Sequence, residues 1–486
     1  MSSLRAFGRP LGAGLSGLLL LLLPAPSGAG SLELRPCHLD GLAEQVRCGV
    51  LEVAENAAEP AGRRIPIHFA VVPAATRDVE PDPLVILAGG PGQAATGMAR
   101  ALDLGFREVR RPRDVLLVDL RGTGKSGPLT CPASGDVLTA AARGGGLGME
   151  ADECLRAQSA DVRFYANEPA VADLDAVREA LGYPRLNLWG GSYGTRTALV
   201  YARRYPERVR SVILDGAVAF SLRFPLALPR YADAALAQLL ADCAAEPACR
   251  SAYPRLESEL RELLARLAQA PERVTVAHPR SGEPVEVEVT EALVAVIVRG
   301  ALYTPQSARL LPHAIHQAAR GRFEPLFALS VETAGWSVDT MALGVTLAVL
   351  CTEDVPRVTV EEAKAAVAGY ILGGPEVEQW LESCRQWPHG PLPARVDELL
   401  PLDVPALVLS GGLDPVTPPE AGELMLRHFR NGWHLVAPEA GHNASFSPCV
   451  PERMAEFIER ASGEGLDLRC AEALPRPPFF VPGGGR

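Results

Sequence analysis

The stretch "RLNLWGGSYGTRTALVYARRYP", Arg185 to Pro206, decides how the rest of the chain is read. Its first third is a short apolar run ending in glycines, and its last part has helical spacing. Between them lies G-x-S-x-G, with Gly190, Ser192 and Gly194 at the fixed positions. In a strand–turn–helix context this pattern places the serine on a tight turn, with its hydroxyl lifted clear of the backbone. The small flanking residues are needed because such a turn is crowded, and the helix N-terminus behind the serine favours developing negative charge. Ser192 is therefore the candidate nucleophile.

The same strand signature recurs along the chain. "DPLVILAGGPG" (82–92), "RDVLLVDLRGTGKSG" (113–127), "RSVILDGA" (210–217), "PALVLSGGLDP" (405–415) and "GWHLVAPEAGH" (432–442) are apolar runs ending in Gly or Asp turns. Runs of this length read as buried parallel strands. Helical stretches lie between them. In "EPAVADLDAVREALG" (168–182), Val171, Leu174, Val177 and Leu181 share one face and Gly182 ends the pattern. Strand and helix in alternation predict an α/β fold with a parallel sheet. From near Phe220 to about Pro393 the pattern becomes mostly helical, interrupted by the strand-like "EPVEVEVT" (283–290). A helical segment inserted into the sheet domain is expected over 221–395. It divides a first core part (30–220) from a second (396–475), and a Pro- and Gly-rich tail (476–486) is expected to be loose.

A serine nucleophile needs a base and an orienting acid, in the chain order Ser, Asp or Glu, His. Asp414 directly follows the run "PALVLS", and His442 follows the next one in a Gly-rich turn. Of nine histidines, His442 alone stands in such a turn after the last predicted strand. His442 Nε2 is read as the base and Asp414 as the group that holds the imidazole. The oxyanion of a tetrahedral intermediate then needs donors. The backbone N–H of Tyr193 and that of Gly90, in "AGGPG", are the candidates.

"DLRGTGKSG" (119–127) looks like half of a phosphate-cradling loop. That loop requires G-x-x-x-x-G-K-[ST], and Asp119 stands where the first glycine should be. The glycines are read instead as a sharp turn, with Asp119 and Arg121 pairing locally to hold it.

Length and composition bound the rest. The 486 residues allow two or three domains, or one large domain with an insertion. A formal net charge of -11 without a basic block argues against nucleic-acid binding. At the N-terminus Arg5 and Arg9 precede an apolar run ending at Leu23 and then small residues. This is the form of a secretory signal peptide over 1–29, with no membrane anchor expected after its removal. All ten cysteines lie beyond it, and an even number in an exported chain suggests disulfides. Pairing of sequence neighbours would close five local loops, although sequence leaves the connectivity open. There is no CxxC pair and no Cys–His cluster, so neither a metal nor another cofactor is expected.

Taken together, "GGPG", "DLRGTGKS", "GGSYG", "GLDPVTP" and "AGH" resemble the prolyl-iminopeptidase and tripeptidyl-aminopeptidase branch of the α/β-hydrolases. "AVLCTED" and "CRQWP" are similar to the secreted tripeptidyl-aminopeptidase type. The resemblance spans roughly residues 65–470. It implies an α/β-hydrolase fold with a helical cap, and a secreted or periplasmic serine exopeptidase acting on peptides with a free N-terminus. It places nucleophile, acid and base on Ser192, Asp414 and His442. The family's glycine loop often begins with His, where this chain has Ala88. A carboxylate shielded near the cap suits a substrate ammonium group, and Glu353 and Asp354 in "CTEDVP" are the candidates. A carboxylesterase or lipase of the same fold is the rival reading, because a triad alone does not discriminate substrates. A non-catalytic binding protein is a third, opposed by the intact Ser–Asp–His order.

Overall fold

The computed structural model describes residues 32–132, 138, 151–333, 341–373, 376–396 and 398–483. The expected signal segment 1–29 lies outside them. The sheet-forming strands are β1 (Arg35–Cys37), β2 (Val46–Ala54), β3 (Arg64–Val72), β4 (Glu80–Leu87), β5 (Arg113–Val118), β6 (Leu186–Gly191) and β7 (Val209–Asp215). A separate hairpin, β8 (Glu272–Ala277) and β9 (Pro284–Val289), lies in the helical segment, and β10 (Ala406–Gly411) and β11 (Gly432–Ala437) return to the sheet. The spatial order of the nine-stranded sheet is β1-β2-β3-β5-β4-β6-β7-β10-β11. Pairings from β1 to β5 through β3 are antiparallel, and all pairings from β5 across to β11 are parallel.

The continuous apolar runs follow from burial on both faces. In β4, Val85 and Leu87 enter one hydrophobic cluster while Leu84 and Ile86 enter another; in β10, Val408 and Leu409 divide the same way. One face is covered by α1 (Asn167–Leu181) and α2 (Gly194–Arg204), the other in part by α5 (Val450–Arg460). α1 buries Val171, Leu174 and Val177 and ends at Gly182 in the left-handed region, φ 76°. The chain leaves β4 toward β5 on one side and reaches β6 on the other. The C-terminal ends of β4 and β6 therefore flank a topological switch point, where open α/β sheets present a crevice.

Between β7 and β10 the chain is mainly helical, beginning with α3 (Phe224–Ala245) and including α4 (Leu343–Glu353). Its own core joins Leu236, Leu260, Ile297 and Phe327. The β8–β9 hairpin adds a partner strand that the sequence reading did not place. The tail also departs from expectation. Phe479 is only 7% exposed and joins that helical core. Phe480 N–H donates to Arg309 O at 3.1 Å, and Tyr253 Oη donates to Phe480 O at 2.9 Å. Two phenylalanines give this Pro-rich segment enough apolar surface to dock, so residues 474–481 form a strap from the sheet domain to the helical segment.

All ten cysteines pair with their sequence neighbours: 37–48, 131–154, 243–249, 351–384 and 449–470. The opening glycines of 119–127 make a turn, with Gly122, Gly124 and Gly127 at positive φ. The Ser126 hydroxyl donates to Asp119 O and accepts from His68 N–H, so the chain itself occupies it. Asp119 and Arg121 do not pair. The Asp119 carboxylate accepts from Thr96 and Lys125 N–H, while Arg121 makes a bidentate pair with Asp173 of α1 at 2.6 and 2.8 Å. Both residues lie beyond the end of β5 and Arg121 is already in the turn, where the two-residue alternation of a strand no longer holds, so its side chain leaves toward α1.

The Arg121–Asp173 pair is buried, and burial pushes the Asp173 carboxyl up despite the guanidinium beside it. Arg121→Met should therefore cost about 3–5 kcal/mol, the penalty for leaving one buried charge alone. Urea unfolding reads the loss, and Arg121→Met combined with Asp173→Leu should recover most of it.

Candidate active site

Ser192 follows β6 with φ 54°, a left-handed conformation for a residue with a side chain. The surrounding glycines explain why the chain tolerates it. A Cβ on Gly190 would stand 2.5 Å from Gly194 O, and one on Gly194 would collide with Leu87 O. One on Gly191 would collide with the Trp189 ring. The turn closes only with hydrogen at these positions, leaving Ser192 half-buried at the start of α2. Strain of this kind, about 1–3 kcal/mol, persists where packing over-determines it.

His442 Nδ1 lies 2.8 Å from Asp414 Oδ2. The carboxylate also accepts from Val416 N–H, Thr417 N–H and the Thr417 hydroxyl, each at 2.8 Å. An ionised carboxylate only accepts, so Nδ1 carries the proton and Nε2 is left as the basic nitrogen. His442 N–H donates to Tyr303 O at 2.8 Å, and the two rings meet edge to face at 5.1 Å. The helical segment thus seats the imidazole from above.

Ser192 and His442 each abut the same turn, Asp215–Gly216. Ser192 N–H donates to Asp215 O at 2.8 Å. A Cβ on the next residue, Gly216, would stand 3.0 Å from His442 Cε1. Across the switch point the glycine loop closes in as well, since a Cβ on Gly89 would stand 3.0 Å from Ser192 Cβ. Gly90 takes φ 111° and Gly92 φ 112°. Among the described residues, neither Gly90 N–H nor Tyr193 N–H is bonded to a protein acceptor.

A family model described as alpha/beta hydrolase fold matches residues 82–271. A second, for a TAP-like protein, matches residues 371–470. This chain has the α/β-hydrolase fold. The serine protease Hip1 of Mycobacterium tuberculosis is 28% identical over 459 residues, covering 87% of each chain. The tripeptidyl aminopeptidase of Streptomyces lividans is 29% identical over 214 residues, or 40% of each chain. The proline iminopeptidase of Neisseria gonorrhoeae is 29% identical over 134 residues, 28% of this chain and 32% of that one. With a serine at its elbow, the hydrolase is a serine hydrolase with peptidase relatives.

Asp215, at the end of β7, belongs to the candidate site and was not singled out from the sequence. Its carboxylate accepts from Ala444 and Ser445 N–H at 2.8 and 2.9 Å, and its carbonyl accepts from Asn443 Nδ2. It therefore ties down the three residues after His442. Burial raises its pKa to about 6 against those donors. The available signal was a lone carboxylate directly after the apolar run "VIL" (212–214).

Glu353 and Asp354 require a correction. Both have no exposed surface, and the hydrolase itself uses their oxygens. Glu353 accepts from Asn167 N–H, Asn167 Nδ2 and the Tyr193 hydroxyl at 3.0, 2.8 and 2.8 Å. Asp354 pairs with Arg196 and accepts from Phe224 N–H. They lie at the C-terminal end of α4 and face the base of α2, because α4 is buried on every side. Carboxylates so occupied do not offer themselves to a substrate ammonium. Cys351 pairs with Cys384 and ties this segment down. Among the described residues, no group of three His, Cys, Asp or Glu is placed to hold a metal ion.

Burial opposes a charged His442, but the charge of Asp414 and its hydrogen bond outweigh that and raise its pKa above the ordinary 6.5. The same contact holds the Asp414 carboxyl below its usual value in spite of burial. A base works only when deprotonated. Activity should therefore be full at alkaline pH and fall with acid along a limb of kcat/KM whose midpoint lies above 6.5. Asp414→Asn should lower kcat by about 10³–10⁴-fold, since it removes the charge and the tautomer control.

Proposed function

We propose that this hydrolase is an exported serine aminopeptidase, of the tripeptidyl or prolyl type, that cleaves peptide bonds near free N-termini through an acyl-enzyme on Ser192. The observation that carries the chemistry is the convergence of Ser192 and the His442–Asp414 pair on the Asp215–Gly216 turn.

In this reading Ser192 Oγ attacks the scissile carbonyl as His442 Nε2 takes its proton. The carbonyl oxygen becomes negative and is received by the N–H groups of Gly90 and Tyr193. The imidazolium, stabilised by Asp414, returns the proton to the departing amine. Water then attacks the ester by the same route in reverse. The departing amine must stand beside His442. A cavity of about 480 Å³ lies there, lined by Tyr303, Gln306, Glu439, Phe446 and the strap prolines Pro475 and Pro477 among others.

The choice of peptides over esters draws on the relatives named above. Export draws support from the five disulfides, which persist in oxidising compartments, and from the character of residues 1–29. Among the described residues no helix is long and apolar enough to cross a membrane.

A panel of aminoacyl- and tripeptidyl-anilides, each with a free or a blocked amine, tests the proposal beside p-nitrophenyl esters. Turnover of free-amine anilides, lost in Ser192→Ala, is the expected result. Turnover of esters alone would replace the reading with an esterase. Folded protein acting on neither would end it.

A further inference from the structure

The two candidate oxyanion donors belong to different loops, Gly90 after β4 and Tyr193 after β6, and a catalytic donor must sit 2.7–3.1 Å from the developing charge. Their separation therefore has to be held to a fraction of an ångström. One element touches both loops. At its N-terminal end, α4 (Leu343–Glu353) and the two residues before it grip the glycine loop. Ala342 N–H donates to Gly92 O at 3.0 Å, and the Thr346 hydroxyl donates to Pro91 O at 2.6 Å. Met341 forms an antiparallel bridge with Gln93. Any side chain on Gly92 would push into Ala342 O, so loop and helix sit in direct contact.

At its other end α4 grips the nucleophile turn. The Tyr193 hydroxyl donates to Glu353 Oε2, and Asn167 Nδ2 donates both to that carboxylate and to the Tyr193 hydroxyl. Thr197 of α2 donates to Asn167 Oδ1 at 2.7 Å. Next in the chain, Asp354 holds Arg196, whose guanidinium lies over the Tyr193 ring at 5.2 Å. Every residue from Gly344 to Glu353 is buried. An α-helix rises about 1.5 Å per residue and is stiff over so short a length.

We infer that α4 is a brace that sets the distance between the two oxyanion donors, and that Glu353 is a positioning residue acting through the Tyr193 side chain on the Tyr193 N–H. This rests on the serine-nucleophile part of the proposed function and not on the peptide substrate. Burying a carboxylate against a tyrosine is costly unless every oxygen is used. Here each oxygen is used: two bonds come from Asn167, and the third comes from Tyr193, the residue whose backbone would receive the oxyanion. Glu353 orients the ring, and the ring fixes the rotation of the peptide unit at the start of α2.

The test is a double-mutant cycle of Glu353→Gln, Tyr193→Phe and the combination. Each single change should lower kcat by roughly 10-fold with little change in KM, within the 10²–10³-fold ceiling for losing a whole oxyanion donor. The combination should be no worse than either alone, because both remove one contact. The rate at which a fluorophosphonate labels Ser192 should fall in parallel. That reaction needs the nucleophile, its base and the oxyanion donors but no recognition of a substrate amine, so it reads the brace whichever substrate class the anilide panel selects. Unchanged kcat and labelling, or additive effects, would overturn the inference. So would a KM rise confined to free-amine substrates, which would return Glu353 to ammonium recognition. If Glu353→Gln fails to fold, Tyr193→Phe, which keeps the ring, decides through the same kcat and labelling rates.

Discussion

Asp215 joins the two halves of the chemistry. Its carbonyl receives the Ser192 N–H and its carboxylate receives the N–H groups of Ala444 and Ser445, so one residue fixes both the elbow and the segment after the base. The remaining site geometry depends on this. β6 and β7 run parallel with Gly191 opposite Asp215, which brings the end of one strand against the end of the next. β10 pairs with β7 so that Leu409 lies opposite Asp215, and the turn after β10 carries Asp414. The sheet therefore delivers Ser192, Asp414 and His442, the proposed nucleophile, acid and base, to one rim because neighbouring parallel strands end in register.

A second constraint is the cost of buried charge. Asp215, Asp414, Glu353, Asp354, Arg196 and Arg121 are all buried. Each is matched by a partner charge or by several N–H donors, as burial of an ion requires. Such networks are a weak source of stability but a strong source of uniqueness when every member is satisfied. In this hydrolase they lie around the elbow, the base and the support under α2. The apolar core of the sheet supplies cohesion, and the polar network fixes where the reacting atoms stand.

The helical segment contributes to the site by contact as well as by covering it. Tyr303 receives the N–H of His442, and the residues from Met341 to Thr346 hold the glycine loop. The strap around Phe479 ties this segment to the end of the sheet domain. Chain separated by more than a hundred residues thereby bears on the same few ångströms.

Much of this was legible in the residues alone. The G-x-S-x-G turn, the apolar strands and the chain order of Ser192, Asp414 and His442 are written locally, because turn sterics and strand burial act between near neighbours. The neighbour pairing of cysteines was open on paper and short-range in fact. What the tertiary structure decided was the partner of each charge. Arg121 lies two residues from Asp119 yet binds Asp173, and Glu353 and Asp354 look inward at Tyr193 and Arg196. The role of Asp215 and the docking of the Pro-rich tail were likewise settled by distant contacts. A backbone preference depends on the few residues around it, whereas a buried charge is settled by whichever groups the whole fold brings within 3 Å.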